Sequence, residues 1–354
     1  MKRFWWAWLS AGALVAAVLP AQAGTRDAPG WIETQVFAAL PDGVRYPEGI
    51  TADPATGAIY AATFDQGAPN KLLRYDRNGR LQASKDFGSQ IMLGLGFAAG
   101  KVYILNMGGS KLQRIAANFD ASTPVEDVAM FPSLGPPGTR AVPNPDGSAD
   151  AVTYGSSGFP APNAMAFDHA NNLYVSDSFQ GAIFRIANAT GCATPCAVTT
   201  FAHDPMLATS GFPPFGANGL AFNADESVMY VANTGDSRVL TLSMAGAHAI
   251  DVLAESIHGA DGLLFDGKHL WACANQGDTV VALDANGRPA MRAGEFLGIG
   301  PDGSPRGLLF PASLVRVGDW MYVTNLALPL TAKAGDEPEE DVTRWTLSRF
   351  RVPQ

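Results

Sequence analysis

The sequence predicts an all-β fold, a six-bladed β-propeller with a metal site in its central channel. Three observations predict it. One strand–turn–strand unit recurs six times, the units never show the apolar spacing of a helix, and four copies carry a carboxylate or amide at the same position. A propeller is built from four-stranded blades around a channel, and six units in a chain of this length leave about 55 residues for each blade. An open sandwich would not explain six copies of one unit.

The chain opens with MKRFWWAWLSAGALVAAVLPAQAG. Lys2 and Arg3 precede an apolar run from Phe4 to Leu19, and Ala21-Gln22-Ala23 has the small-residue pattern of a cleavage site. Residues 1–23 are therefore expected to be a signal peptide and residues 24–354 a single propeller domain. The run is short for a membrane span and Pro20 ends it. No other long apolar run follows, so the cleaved protein is expected to be periplasmic or secreted and free of membrane. WIETQVFAAL (31–40) should supply a strand to the last blade and close the ring.

The units then follow as PEGITADPATGAIYAATF (47–64), LGLGFAAGKVYILNM (93–107), PNAMAFDHANNLYVSDS (162–178), ANGLAFNADESVMYVANT (217–234), ADGLLFDGKHLWACAN (260–275) and PASLVRVGDWMYVTNL (311–326). Each is a short apolar strand, a turn, and a second strand carrying an aromatic: Tyr60, Tyr103, Tyr174, Tyr230, Trp271 and Tyr322. More alternating segments follow, such as KLLRYDRNGRL, KLQRIAA, AIFRIAN, RVLTLSM and TVVALDANGR, which supply the outer strands.

Composition narrows the function. The formal charge of −9 falls to −11 once Lys2 and Arg3 leave, which excludes a nucleic-acid binder and suits a small-molecule partner. Cys192 and Cys196, in GCATPC, can close a small disulfide loop in an oxidising compartment, and Cys273 reads as a small buried apolar residue.

The first strand of each unit lines the channel, and its opening position holds Glu48, Leu95, Asn163, Asn218, Asp261 and Ser313. Two carboxylates and two amides meeting on one axis form a hard oxygen set, the kind that Ca²⁺ or another divalent metal prefers. Zinc would ask for His or Cys, and none stands in this register.

The motifs PEGI, PNAMAFD, ANGLAFN and ADGLLFD resemble the metal-binding signatures of the senescence-marker-protein/gluconolactonase/luciferin-regenerating-enzyme-like family, which is related to diisopropyl fluorophosphatase and paraoxonase. The resemblance covers about residues 31–352. It implies a six-bladed propeller with a divalent ion in the channel, Glu48, Asn163, Asn218 and Asp261 as its ligands, and hydrolysis of lactones or phosphoesters. The chain departs from the paraoxonase pattern in having no histidine at the start of an inner strand. His258 comes nearest, three residues before Asp261.

Two long connections, 131–162 and 203–217, are expected on the metal side, where Arg140, Tyr154, Phe212 and Phe215 are candidate substrate contacts. The acidic run from Asp336 to Asp341 reads as a solvated loop. The expected function is an exported, metal-dependent hydrolase of lactones or related esters, with Asp261 as nucleophile or general base. The alternative is a non-catalytic propeller that binds a ligand or a protein around a structural metal ion.

Overall fold

Each recurring unit folds back on itself through a tight turn and becomes the two inner strands of one blade. The computed structural model describes residues 30–154, 160–331 and 333–353, so the expected signal peptide lies outside the described residues. Blade one consists of Pro47–Ala52, Ile59–Thr63, Asn70–Tyr75 and Leu81–Gly88, and blade two of Met92–Ala98, Lys101–Asn106, Lys111–Ala116 and Glu126–Met130. Blade three runs from Pro162–Phe167 to Thr199–His203, blade four from Ala217–Phe222 to Ile250–Glu255, and blade five from Ala260–Phe265 to Pro289–Ala293. The inner strands neighbour one another in blade order, and that of blade six returns to blade one, closing the ring.

Blade six draws on both ends of the chain. Its strands are Pro311–Val317, Trp320–Asn325, Thr346–Arg351 and, outermost, Gln35–Ala39, with Val36 opposite Ser348. This is the closure expected of residues 31–40. A shorter strand just before it, Gly30–Ile32, pairs in parallel with Pro289–Ala293 of blade five, so the N-terminal segment is stitched to two blades rather than one. The 131–162 connection, expected as a loop, contains a hairpin of Arg140–Pro143 and Ala149–Val152. Cys192 and Cys196 are disulfide-bonded, and Cys273 is a buried free thiol. Among the described residues no helix is long and apolar enough to cross a membrane.

The recurring aromatic has a packing reason. Tyr60, Tyr103, Tyr174 and Tyr230 reach across to Phe97, Phe167, Phe222 and Phe265 at the ends of the next blades' inner strands, with ring centroids 5.2–6.1 Å apart. Each blade thus puts a large ring into the seam with its neighbour, and burying such a side chain contributes about 1.5–3 kcal/mol. Near the channel the inner strands approach closely enough to require glycine. A Cβ on Gly49 would strike the carbonyl of Leu93, and one on Gly219 the carbonyl of Asp261.

Candidate metal centre

In every blade the first residue of the inner strand pairs with the last residue of the second strand, and the ladder then shifts. Pro47 faces Thr63, for instance, while the next paired residue, Ile50, faces Ala61. The same irregularity recurs after Met92, Pro162, Ala217, Ala260 and Pro311. Bulges re-aim side chains, and the residue entering each of these is Glu48, Leu93, Asn163, Asn218, Asp261 or Ala312. Leu95 and Ser313, expected at this position in blades two and six, are thereby corrected to Leu93 and Ala312. Leu95 is instead already paired with Ile104, and Ser313 follows Ala312.

A second ring lies beside the first. The residue following each second strand is Phe64, Met107, Ser178, Thr234, Asn275 or Leu326, and its N–H donates to the residue preceding the inner strand, at 2.8–3.3 Å. In blades three to five this ring is polar and holds the first. Asn163 Nδ2 donates to Ser178 Oγ at 2.8 Å, and Ser178 Oγ donates to the Ala217 carbonyl at 2.7 Å. Asn218 Nδ2 likewise donates to Thr234 Oγ1 at 3.0 Å, and that hydroxyl donates to the Ala260 carbonyl at 2.7 Å. A hydroxyl has one proton, already committed to a carbonyl, so it can only accept from the amide. That fixes which way each amide faces. Asn163 Oδ1 is left buried with no partner, as are Glu48 Oε2, Asp261 Oδ1 and Asn275 Oδ1. Asp261 Oδ2 accepts from Asn275 Nδ2 at 3.2 Å.

These oxygens share one cavity, of about 430 Å³ counting its open mouth, lined at its floor by Glu48, Asn163, Asn218, Thr234, Asp261 and Asn275. Glu48 and Asp261 are each 5% exposed, and among the described residues no ion pair reaches either. Burial holds the Glu48 carboxyl well above the usual carboxylate range, and the neighbouring Asp261 charge adds to it. Burial also raises Asp261, with the hydrogen bond from Asn275 pulling the other way. Two desolvated carboxylates without a positive partner are costly. A divalent cation relieves that cost, and four oxygen-bearing residues carrying two formal charges fit a hard one. Among the described residues no three His, Cys, Asp or Glu side chains cluster to hold a metal, so the set depends on its amides.

A luciferin-regenerating enzyme superposes with a TM-score of 0.60 at 14% identity, covering 88% of this chain and 92% of its own. The calcium-binding protein regucalcin from Agrobacterium tumefaciens gives 0.59 at 15% identity, over 92% and 98%. A gluconolactonase from Xanthomonas campestris gives 0.54 at 14%, over 89% of each chain. The chain shares the six-bladed propeller of luciferin-regenerating enzyme, regucalcin and gluconolactonase. At these identities the likeness is one of fold. No family model matches the chain, and no curated protein matches it in sequence.

Elsewhere the cavity lining is apolar, with Phe64, Leu93, Phe215, Phe310, Leu328 and Leu330 forming its wall. Of the expected substrate contacts, Phe215 stands in the wall, next to Pro213. Phe212 does not line the cavity: its ring is 62% exposed to solvent. Arg140 and Tyr154 are also outside the lining. Arg140 is held by Met206 Sδ at 3.2 Å and Asp236 at 3.7 Å, and Tyr154 is buried, its burial raising the phenol above its ordinary value. His258 is exposed, and among the described residues no histidine lines the cavity. Sequence reasoning missed Ser178, Thr234 and Asn275, although the third, fourth and fifth units end in DS, NT and AN. Those endings were the available signal.

Proposed function

We propose that this protein is an exported, metal-dependent hydrolase of lactones or related esters, with Ca²⁺ or another divalent ion held by Glu48, Asn163, Asn218 and Asp261. The observation that supports it most is the set of buried, partnerless oxygens, Glu48 Oε2, Asn163 Oδ1 and Asp261 Oδ1, at the floor of one cavity. When bound, the ion supplies Lewis acidity to a carbonyl oxygen and to the oxyanion that follows. The protein's residues do the rest. Ser178 and Thr234 lock the two amides, so their oxygens need no reorganisation. Asn275 holds one oxygen of Asp261 and leaves the other toward the cavity, where it can take a proton from water or attack the carbonyl itself. The apolar wall restricts water and strengthens every charge interaction at the floor. Export is supported by the leader-like residues 1–23 and by the Cys192–Cys196 disulfide, a bond that persists in oxidising compartments.

The test is lactone turnover by protein stripped with chelator and then refilled with Ca²⁺. Activity should vanish and return. Turnover that ignores both steps would sink the proposal. The absence of histidine from the cavity lining among the described residues favours a second reading, a non-catalytic propeller binding a ligand or protein around a structural ion. Hydrolysis in a screen of lactones and aryl esters that disappears in Asp261→Asn excludes it.

A further inference from the structure

We infer that the substrate of this site is a neutral lactone or ester with an apolar body, not a polyhydroxylated sugar lactone and not an anion. The inference rests on the hydrolase reading above and names its substrate class. Three features of the cavity carry it. First, the wall is built from carbon: Phe64, Leu93, Phe215 and Phe310, with Leu328 and Leu330 from the excursion between the second and third strands of blade six. Phe64, Leu93, Phe310 and Leu326 belong to a single apolar cluster over the channel, against which Phe215, Leu328 and Leu330 pack. Second, among the described residues no Lys, Arg or His lines the cavity, so a carboxylate or phosphate would find no side-chain cation, and the ion's charge is already matched by Glu48 and Asp261. Third, the polar atoms of the floor offer a one-sided chemistry. The amide nitrogens of Asn163, Asn218 and Asn275 are each turned onto a protein oxygen, and the Thr234 hydroxyl proton is given to Ala260. The buried atoms of the lining with no partner at all are acceptor oxygens: Glu48 Oε2, Asn163 Oδ1, Asp261 Oδ1 and Asn275 Oδ1.

A sugar lactone carries several hydroxyls that have given up water and need donors as well as acceptors. A carbon wall returns neither. A site discriminates most strongly when entry would leave polar groups unpaired. An alkyl or aryl lactone loses nothing comparable. Its only polar part is the ring ester, whose carbonyl oxygen the ion held by the floor would satisfy, and its carbon body covers wall that would otherwise face water.

The comparison that tests this uses two six-membered lactones of the same reactivity class, δ-decanolactone and glucono-δ-lactone, with the Ca²⁺-loaded full chain. The expected result is a kcat/KM at least about 100-fold higher for the alkyl lactone. Equal values, or preference for the sugar lactone, overturn the inference while leaving the hydrolase reading standing. If neither is turned over, the hydrolase reading fails. Binding then decides the inference, read as the shift in melting temperature produced by each intact lactone. Stabilisation by δ-decanolactone alone upholds it, and stabilisation by the sugar lactone, by both equally or by neither overturns it. Leu328→Asn and Leu330→Asn, both at half-buried wall positions, give an independent reading. Each should raise KM for the alkyl lactone about tenfold with little change in kcat, because uniform binding is what the wall provides. Unchanged KM in both variants, with normal melting, overturns the inference.

Discussion

The two halves of the ring use the same backbone for opposite purposes. In blades three, four and five the inner-strand and second-strand positions read Asn163/Ser178, Asn218/Thr234 and Asp261/Asn275, polar on polar. In blades six and two the equivalent pairs are Ala312/Leu326 and Leu93/Met107, apolar on apolar, and blade one sets Glu48 beside Phe64. The hydrogen bond from the second ring to the residue before the inner strand is present in all six blades. The difference is therefore not one of geometry. A propeller gives every blade the same access to the axis, and side-chain chemistry alone decides which arc is the floor and which is the wall. Glu48 is the exception that completes the oxygen set from the apolar side.

If the polar arc is the reactive one, Asp261→Asn should show the largest effect, a loss of about 10²–10⁴ in lactone turnover, as expected of a displaced acid–base group. Near-normal turnover in a metal-loaded Asp261→Asn would break the contrast at its centre. On the other arc, Leu93→Ala at the equivalent position should lower stability by about 2–5 kcal/mol, the usual range for a buried leucine. That loss should be the same in Ca²⁺ and in EDTA, since Leu93 offers the ion nothing. Asn218→Ala should behave differently. A hundredfold weaker site corresponds to about 2.7 kcal/mol of lost ligand stabilisation, visible as a melting shift in Ca²⁺ and nearly absent in EDTA. Equal shifts in both buffers would make Asn218 a strand cap.

Thr234→Val should sharpen the picture one step farther from the ion. It frees the Asn218 amide to rotate and should weaken metal binding about 10–100-fold, the range seen for groups that orient a ligand. Titration of the apo protein with Ca²⁺ would measure it. The smallest effect belongs to the blade-six excursion. Burial, with Asp278 and Glu337 nearby, pushes the half-buried Glu339 carboxyl up to about 7 from its ordinary 4.5. The folded protein then holds a proton that the unfolded chain has released, so this contribution is present at low pH and lost as pH rises from about 4.5 to 7. Wild type should therefore lose melting temperature relative to Glu339→Gln between pH 5 and pH 8. A constant difference would show that Glu339 is solvated like its acidic neighbours.

The contrast between the arcs also explains what could be read in advance. The six units were legible because inner strands are buried on both faces and each second strand must supply a ring to the next seam. The polar members stood out because amides and carboxylates are out of place before such strands. The apolar members did not. Leu93-Gly94-Leu95-Gly96 satisfies a two-residue alternation in either of two registers, and only the ladder, with Met92 opposite Asn106, selects Leu93. In blade six a polar serine one residue along drew the eye past Ala312. The hydroxyl relays of Ser178 and Thr234 were hidden for another reason, since each bridges one blade to the next blade's backbone. Phe212 was misplaced because a sequence gives no direction to a ring within a loop, and its neighbour Pro213 took the wall position.

The shared sixth blade has a consequence in time. Val36 pairs with Ser348, more than 300 residues later in the chain. At ordinary synthesis rates of about 5–20 residues per second, Gln35–Ala39 waits on the order of half a minute for its partner to exist. Until then blade six lacks its third strand, Thr346–Arg351, and Gln35–Ala39 has no edge to add to. Assembly of the circle is thus a final event that no early segment can perform. The same clasp resists fraying once made, because freeing either end of the chain means pulling a strand out of a finished sheet.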